Sequence, residues 1–174
     1  MLLEISIISI LSYFSGSIPF GLIITKLFTG EDVRKIGSGN IGATNVLRTG
    51  NRFIAATTLL LDISKGFIPV MLTKIYFPEY IHLSGLLAFL GHLFPVWLNF
   101  NGGKGVATFL GVLIGISLKL GLLFIFTWII VTLIFKYSSV SSIFSALTVF
   151  VINFLSELSF KVFNFVNRDT YNDN

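Results

Sequence analysis

A glycine-rich stretch in the first third of the chain carries the most informative side chains. Residues 37–48 read Gly-Ser-Gly-Asn-Ile-Gly-Ala-Thr-Asn-Val-Leu-Arg, with no acidic residue. Glycines let successive backbone N–H groups turn toward one point and form an anion nest, and a guanidinium is suited to phosphate. The pattern predicts an anion site, and a flexible surface loop is the alternative interpretation. The candidate residues here are Gly37, Ser38, Gly39, Asn40, Gly42, Thr44, Asn45 and Arg48.

A second glycine cluster, Gly102-Gly103-Lys104-Gly105, comes immediately before an apolar segment that starts at Val106. Free N–H groups and the positive end of the helix dipole favour an anion at a helix N-terminus, and Lys104 adds a mobile positive charge. This is not a Walker A loop, because Gly105 stands where a Ser or Thr would hold magnesium. The cluster predicts a second phosphate site, and an ordinary interfacial lysine is the alternative.

Three polar side chains lie within apolar segments of the sequence. Ionisable groups in a membrane span are expensive and usually paired, so Asp62 and Lys65, three residues apart, predict an intrahelical ion pair; direct catalysis is the alternative. His92 is a candidate acid, base or hydrogen-bonded positioner, with an ordinary buried histidine as the alternative. No His and carboxylate cluster has metal-ligand spacing, and the chain has no cysteine, so we expect no metal and no cofactor.

Small residues mark two further features. The serines of residues 138–142, including Ser141 and Ser142, stand at the start of a predicted helix, where serine hydroxyls commonly cap free N–H groups. Gly111 and Gly115 are four residues apart in an apolar segment, a spacing typical of a helix-packing face.

The composition shows which environment must hold these groups. Of the 174 residues, 54% are hydrophobic and 11% are charged, and the mean hydropathy is +0.89. Soluble domains are about 25% charged, so this chain belongs in a bilayer. The net charge of +4 is too small and too scattered to indicate nucleic-acid binding.

The apolar segments predict an all-α, polytopic integral membrane helix bundle with several short or broken helices. A membrane-spanning helix needs about 20 apolar residues. The first segment has no basic leader and is expected to stay as a helix. We predict a single transmembrane domain over residues 1–160 and a disordered polar tail over residues 161–174. The six predicted spans are Leu2–Thr25 (interrupted near Pro19), Phe53–Thr73, Ile81–Leu98, two short helices within Val106–Phe135 that meet near Lys119-Leu120-Gly121, and Val140–Ser156.

The basic residues predict the orientation of this bundle. We count the basic residues on each side of the membrane for a hairpin at Lys119, leaving out the C-terminal tail. Two lysines, Lys74 and Lys119, then lie on one side, and seven basic residues lie on the other. Basic loops are cytoplasmic, so both glycine clusters are expected on the cytoplasmic face and the N-terminus outside. Two anion sites on one face suggest two phosphorylated ligands, one of them a lipid. The seven are Lys26, Arg34, Lys35, Arg48, Arg52, Lys104 and Lys136.

Together these motifs resemble the bacterial acyl-phosphate:glycerol-3-phosphate acyltransferases of the PlsY type. The similarity covers most of residues 12–143 in family order, and the motif of residues 37–48 is specific. The other matching stretches are residues 12–21, 61–66, 91–95, 102–108 and 139–143.

The resemblance implies a bacterial inner-membrane enzyme with its active site facing the cytoplasm. It would transfer the acyl group of an acyl phosphate to the 1-hydroxyl of sn-glycerol 3-phosphate, the first step of phospholipid biosynthesis, without using acyl-CoA or acyl carrier protein directly. Membrane lipid and the soluble enzyme that makes the acyl phosphate would be its partners. The family's essential serine and arginine fall on Ser38 and Arg48, and its glycerol-phosphate loop falls on residues 102–105. His92 and Lys104 join the catalytic candidates, and Ser141 and Ser142 the substrate-binding ones.

The end of the chain departs from the family. PlsY-type enzymes usually have a seventh span and a tail that reads like Arg-His-x-x-Asn-Ile-x-Arg, whereas the 31 residues after Ile143 contain no histidine. This departure predicts a truncated, frameshifted or divergent member. Two alternatives to an active acyltransferase therefore stay open: a transporter of anions or phosphate esters, and an inactive relative.

Overall fold

The structure is a computed structural model that describes the backbone of residues 1–172 and the side chains of residues 1–161 and 164. Regular structure in this part of the chain is helical, as predicted. Short 3-10 turns lie at Val33–Lys35, Leu47–Thr49, Pro78–Tyr80 and Val96–Leu98. The helices are α1 (Leu2–Ser17), α2 (Phe20–Thr29), α3 (Ala43–Val46), α4 (Arg52–Tyr76), α5 (Ile81–Leu93), α6 (Val106–Ile116), α7 (Leu118–Phe135) and α8 (Ser138–Asn172).

Five helical stretches of the described residues are long and apolar enough to cross a membrane, which confirms a multi-pass membrane protein. The prediction of six spans is wrong by one, because α6 has only 11 residues. At 1.5 Å per residue α6 is about 16 Å long, roughly half of a hydrocarbon core of about 30 Å. The five stretches are Leu2–Thr29, Arg52–Tyr76, Pro78–Leu98, Leu118–Phe135 and Ser138–Lys161.

The first span is broken between α1 and α2, as the sequence predicts. Ile18 is extended, with φ −65° and ψ 118°, and Pro19 has no N–H with which to continue the helix. The Ile18 carbonyl accepts a hydrogen bond of 2.6 Å from Lys65 Nζ. Lys65 Nζ also lies 2.8 Å from Asp62 Oδ1 with both side chains buried, which confirms the predicted ion pair.

The apolar segment of residues 106–135 is divided at Ser117, two residues before the predicted hinge. Ser117 is extended, with φ −154° and ψ 124°, and Gly121 lies against Ile114, so the helix is interrupted there. Lys74 Nζ donates to the carbonyl of Ile116 at 2.9 Å. Lys74, predicted on the side of the membrane away from the cytoplasm, therefore caps the C-terminus of α6.

Helix α6 packs closely against α4 through its glycines. A side chain at Gly111 would overlap the backbone of Ile63, and one at Gly115 would press on Val70. The predicted packing face is confirmed, and the close approach fixes the N-terminus of α6 relative to α4.

The described packing divides into two compact units, Met1–Gly121 and Leu122–Asn174. In the second unit Trp128 Nε1 donates to Ser142 Oγ at 3.2 Å. The backbone of α8 is helical through Asn172; most side chains of the predicted tail, residues 161–174, lie outside the described residues. The single domain over residues 1–160 stays a prediction.

Candidate active site

The segment between α2 and α4 folds over a buried apolar cluster. Val33 and Val46 have no exposed surface, and Ile41 is 3% exposed. These side chains pack with Ile24 of α2 and Ile54 of α4. These buried apolar side chains anchor an otherwise polar segment to α2 and α4. An anchored segment favours the predicted anion site over a flexible surface loop.

Asn45 holds this segment together from its centre. Its side-chain N–H groups donate to the carbonyls of Val33, Ile36 and Asn40 at 2.8–2.9 Å, and its Oδ1 accepts from the Ser38 N–H at 3.0 Å. The side chain is buried and all of its hydrogen-bonding groups are used. Asn45 therefore shapes the loop, and its amide is not left over for a ligand.

The backbone N–H groups of the predicted nest are also engaged inside the loop. Gly39 N–H donates to the Ile36 carbonyl at 2.9 Å, and Gly42 N–H donates to Asn40 Oδ1 at 2.9 Å. With the Ser38 N–H held by Asn45, the expected nest is corrected at these positions. Side chains rather than these N–H groups are left to meet an anion.

Arg48 is an exposed charged side chain of this loop that lies against one of its glycines. Its Cδ and Nη1 lie against Gly37, where a Cβ would collide with them. Within the described part of the chain, the Arg48 side chain makes no ion pair or hydrogen bond, and Ser38, next to Gly37, is exposed, as is Thr44. The fold therefore brings Arg48 next to Gly37, eleven residues earlier, and its neighbour Ser38. The guanidinium has no partner among the described residues.

A nearby carboxylate does not compete for Arg48. Asp32 forms a bidentate pair with Arg34, with an Nη2–Oδ2 distance of 2.6 Å. The hydrogen bond from the Arg34 side chain lowers the pKa of Asp32 to about 2. Asp32 thus stays ionised and paired with Arg34 at neutral pH.

We expect Asn45→Asp to lower the stability of the protein by about 3 kcal/mol and to remove most of its activity. A carboxylate cannot donate to the three carbonyls that the amide holds, and it would place a negative charge in a loop proposed to bind an anion. Thermal unfolding in detergent and turnover measure the two effects. Asn51→Asp is the matched control, because Asn51 Oδ1 only accepts, from Phe53 and Ile54 N–H. Equal behaviour of the two variants would contradict the role assigned to Asn45.

The second glycine cluster packs directly on the C-terminal end of α5. Gly102 N–H donates to the Leu93 carbonyl at 3.0 Å, and Gly103 N–H donates to the His92 carbonyl at 3.1 Å. These two N–H groups are therefore not available to an anion, contrary to the sequence interpretation. Gly105 has φ +77° and caps α6, and Lys104 is exposed without an ion pair among the described residues.

His92 lies beneath this loop rather than in an open site. It is 3% exposed, its Nδ1 is 3.0 Å from Thr108 Oγ1, and its Nε2 faces the Cα of Gly103 so closely that a Cβ there would overlap the ring. Of the roles considered from the sequence, this geometry favours the positioner over the acid or base.

The two loops lie at the same end of the first unit. Leu98, six residues before Lys104, packs against the apolar cluster under the first loop. Trp97 Nε1 donates to Ser17 Oγ at 2.9 Å, which ties the same segment to the break in the first span. The tertiary structure thus places both cation-bearing loops around the ends of α1, α2 and α5.

Ser141 and Ser142 belong to the second unit. Their hydroxyls donate to the carbonyls of Tyr137 and Ser138 at 2.9 and 2.8 Å, so they bond to the preceding turn and do not act as N-terminal caps. Their predicted substrate-binding role stays a prediction.

Thr108 supports the site although its sequence motif predicts no role for it. It is fully buried and holds His92. The sequence does contain a sign of this role. Thr108 is the one hydroxyl-bearing residue of α6, and a lone polar group in an apolar helix generally has a partner.

Comparison with known proteins identifies the family that shares this arrangement. The family model for glycerol-3-phosphate acyltransferase matches residues 6–167. The glycerol-3-phosphate acyltransferase of Pelagibacter ubique (strain HTCC1062) is 55% identical over 147 residues, which are 84% of this chain and 77% of that protein. That of Mesorhizobium japonicum is 55% identical over 140 residues, 80% of this chain and 72% of that protein.

The chain belongs to the glycerol-3-phosphate acyltransferase family. It is an acyltransferase, and the resemblance read from its motifs is confirmed. A crystal structure of the integral membrane enzyme PlsY in its glycerol 3-phosphate form superimposes with a TM-score of 0.83 at 38% identity, over 88% of this chain and 78% of that one. A lysophosphatidic acid form gives a TM-score of 0.81 at 36% identity, over 88% and 77%.

Proposed function

We propose that this acyltransferase moves the acyl group of an acyl phosphate to the 1-hydroxyl of sn-glycerol 3-phosphate. The products would be 1-acylglycerol 3-phosphate (lysophosphatidic acid) and inorganic phosphate. The observation that carries the proposal is the pair of glycine loops at one end of the first unit, each presenting an exposed cation, Arg48 and Lys104, without an acidic partner among the described residues. The relatives' names and the glycerol 3-phosphate and lysophosphatidic acid forms of PlsY support the same substrate and product.

The two loops divide the binding of the two substrates. Ser38 and Arg48 would hold the acyl phosphate, with its hydrocarbon chain in the lipid, and Lys104 at the N-terminus of α6 would hold glycerol 3-phosphate. A guanidinium fork binds phosphate oxygens in two places, whereas an ammonium acts as a point charge. Of the predicted binding groups, Asn45 and the N–H groups of Gly102 and Gly103 act by shaping the loops.

The reaction proposed is direct transfer. The 1-hydroxyl oxygen attacks the acyl carbon, the bond from that carbon to the phosphate oxygen breaks, and the phosphate leaves with both electrons. Because the acyl phosphate is already activated, the protein mainly positions two anions and neutralises charge. A phosphate with a second pKa of about 6 can take the hydroxyl proton, so His92 need not act as a base from its buried position.

A covalent acyl-Ser38 intermediate is the rival mechanism. Direct transfer predicts that rapid acid quenching during turnover recovers no acylated protein from the wild type. Mass spectrometry of the quenched protein measures this. Acylated protein that disappears in Ser38→Ala would overturn direct transfer.

The same proposal includes a place in the cell. We place the enzyme in the bacterial inner membrane with both loops in the cytoplasm, supported by the five basic residues from Lys26 to Arg52 and by Lys104, which lie in the segments that carry the two loops. Acyl phosphate would then come from a soluble cytoplasmic enzyme, a candidate partner.

The decisive experiment is phosphate release by purified protein supplied with palmitoyl phosphate, with and without glycerol 3-phosphate. We expect release that depends on both substrates, with lysophosphatidic acid formed in equal amount. A monodisperse preparation that releases no phosphate would contradict the proposal. Uptake of glycerol 3-phosphate into liposomes without acyl phosphate would instead favour the transporter alternative.

A further inference from the structure

The buried pair Asp62–Lys65 makes more connections than an ion pair inside one helix requires. Lys65 Nζ leaves its own helix to reach the Ile18 carbonyl at 2.6 Å and lies 5.7 Å from the centre of the Phe20 ring. Asp62 Oδ1, 2.8 Å away, accepts no well-aligned hydrogen bond. The carboxylate therefore neutralises the ammonium, and the directional bond goes to the break between α1 and α2.

From that break, a direct contact leads to the loop that carries Arg48. Gly21, three residues after Ile18, lies so close to the Ile41 carbonyl that a Cβ would overlap it. Ile41 is buried in the loop, next to Asn40, whose carbonyl Asn45 holds. A shift of the break would therefore move the first loop.

From the other side of the same helix, contacts lead to the loop that carries Lys104. Gly66 lies directly against the Thr108 carbonyl, Thr108 Oγ1 is 3.0 Å from His92 Nδ1, and the His92 carbonyl accepts from Gly103 N–H at 3.1 Å. One turn of α4 is thus joined to both loops through backbone and buried side chains.

We propose that Asp62 and Lys65 are positioning residues that set the placement of the Arg48 loop relative to the Lys104 loop. The proposal rests on the function proposed above, in which each loop holds one substrate. Stability alone does not require this pair, because well-packed neutral residues commonly replace a buried ion pair without loss. A fixed geometry does depend on it, because the Ile18 carbonyl at the break accepts from Lys65 Nζ of α4 in addition to the local Phe20 N–H, and the bond from Lys65 is the one that ties the break to α4.

The test compares the double variant D62N/K65M with the single variant K74M. The double variant removes both charges, keeps the side-chain sizes and removes the bond to Ile18. Lys74 is the matched control, because it also bonds to backbone carbonyls, those of Gly115 and Ile116 at 3.3 and 2.9 Å, but at the far end of α6.

The first readout is the distance between the loops, which does not depend on activity. The chain contains no cysteine, so Leu47→Cys and Asn101→Cys place one spin label on each loop. Both positions are exposed, and neither is assigned to the site. We expect the distance distribution to broaden or shift in D62N/K65M and to stay as in the wild type in K74M.

The second readout is kinetic. A misplacement of about 1 Å can cost about 100-fold in rate, so we expect kcat/KM of D62N/K65M to fall by about that factor, while K74M lowers the melting temperature only. A folded D62N/K65M with wild-type distances and wild-type kcat/KM would overturn the proposal. If D62N/K65M does not give monodisperse protein, D62N/K65L, which also lacks both charges and the donor to Ile18, is measured in the same way, and unchanged distances and kinetics in that variant would overturn the proposal.

The two proposals fail in distinguishable ways. A wild type without acyl transfer, whose loop distances nonetheless change in D62N/K65M, would contradict the proposed function and leave the positioning role standing. If the wild type is active and the D62N/K65M substitutions change neither kinetics nor distances, the proposed function would stand and the positioning role would be contradicted.

Discussion

Arg48→Lys is expected to lower kcat/KM by about 10²- to 10³-fold without unfolding the protein. The exposed guanidinium lies across Gly37, beside Ser38, and has no partner among the described residues, so the fold holds a planar fork free for an anion. Lysine keeps the charge but presents a single ammonium on a flexible stem, which cannot bind two phosphate oxygens in the same way. Steady-state kinetics with palmitoyl phosphate and glycerol 3-phosphate measure the change.

Arg52→Lys is the matched control for this result. Arg52 is exposed at the start of α4, on the same side of the predicted topology, and no site role is assigned to it. We expect its kinetics to equal those of the wild type. Full activity of Arg48→Lys would remove Arg48 from the site, and equal losses in both variants would show a general effect of charge at this surface.

Gly102→Ala is the second change for which we expect a large effect, a loss of at least about 100-fold in kcat/KM. A Cβ at residue 102 would overlap the His92 carbonyl oxygen and lie 2.6 Å from that of Leu93. These contacts are backbone atoms at the end of a packed helix, so the loop itself must move. That movement would break the bonds from Gly102 and Gly103 N–H and displace Lys104. Kinetics and thermal unfolding together separate the loss of activity from a loss of fold.

Gly30→Ala shows whether the effect comes from crowding. Gly30 has φ +73° and no heavy atom within 4 Å of a built Cβ, so alanine there is strained by about 1 kcal/mol but collides with nothing. We expect a small loss of stability and unchanged kinetics. Wild-type activity in Gly102→Ala would show that the loop tolerates a shift and that its close packing on α5 is not needed for the reaction.

Residue types and spacing were enough to find the two loops but not what their residues do. Arg48 and Lys104 were identified as the cations of two anion sites because each follows glycines with no acid nearby. Asn45 was predicted to bind substrate, yet it is buried with its amide fully used. An asparagine that binds substrate and one that shapes the loop have the same local sequence pattern. Only the tertiary packing, in which Val33 and Val46 are buried, shows that Asn45 shapes the loop.

The positions of the two helix breaks also show how far local sequence patterns can predict the structure. The break at Pro19 was predictable because proline removes a donor from the helix. The sequence predicts the second break at residues 119–121, and it lies at Ser117, because nothing in the local apolar pattern separates these positions. At the observed break, the ammonium of Lys74, 43 residues earlier, binds the last carbonyls of α6, a contact that the local pattern does not contain.

The sequence by itself determined that this is a helical membrane protein with the glycerol-3-phosphate acyltransferase motifs, including the Asp62–Lys65 pair. Those properties depend on hydropathy over a span and on neighbours within one helical turn, both of which are local. The tertiary structure alone decided that His92 supports a loop from below, that several glycine N–H groups are used internally, and that Lys65 reaches the broken first span. These depend on contacts between distant segments, for which hydrophobic burial determines which polar groups remain exposed to a ligand.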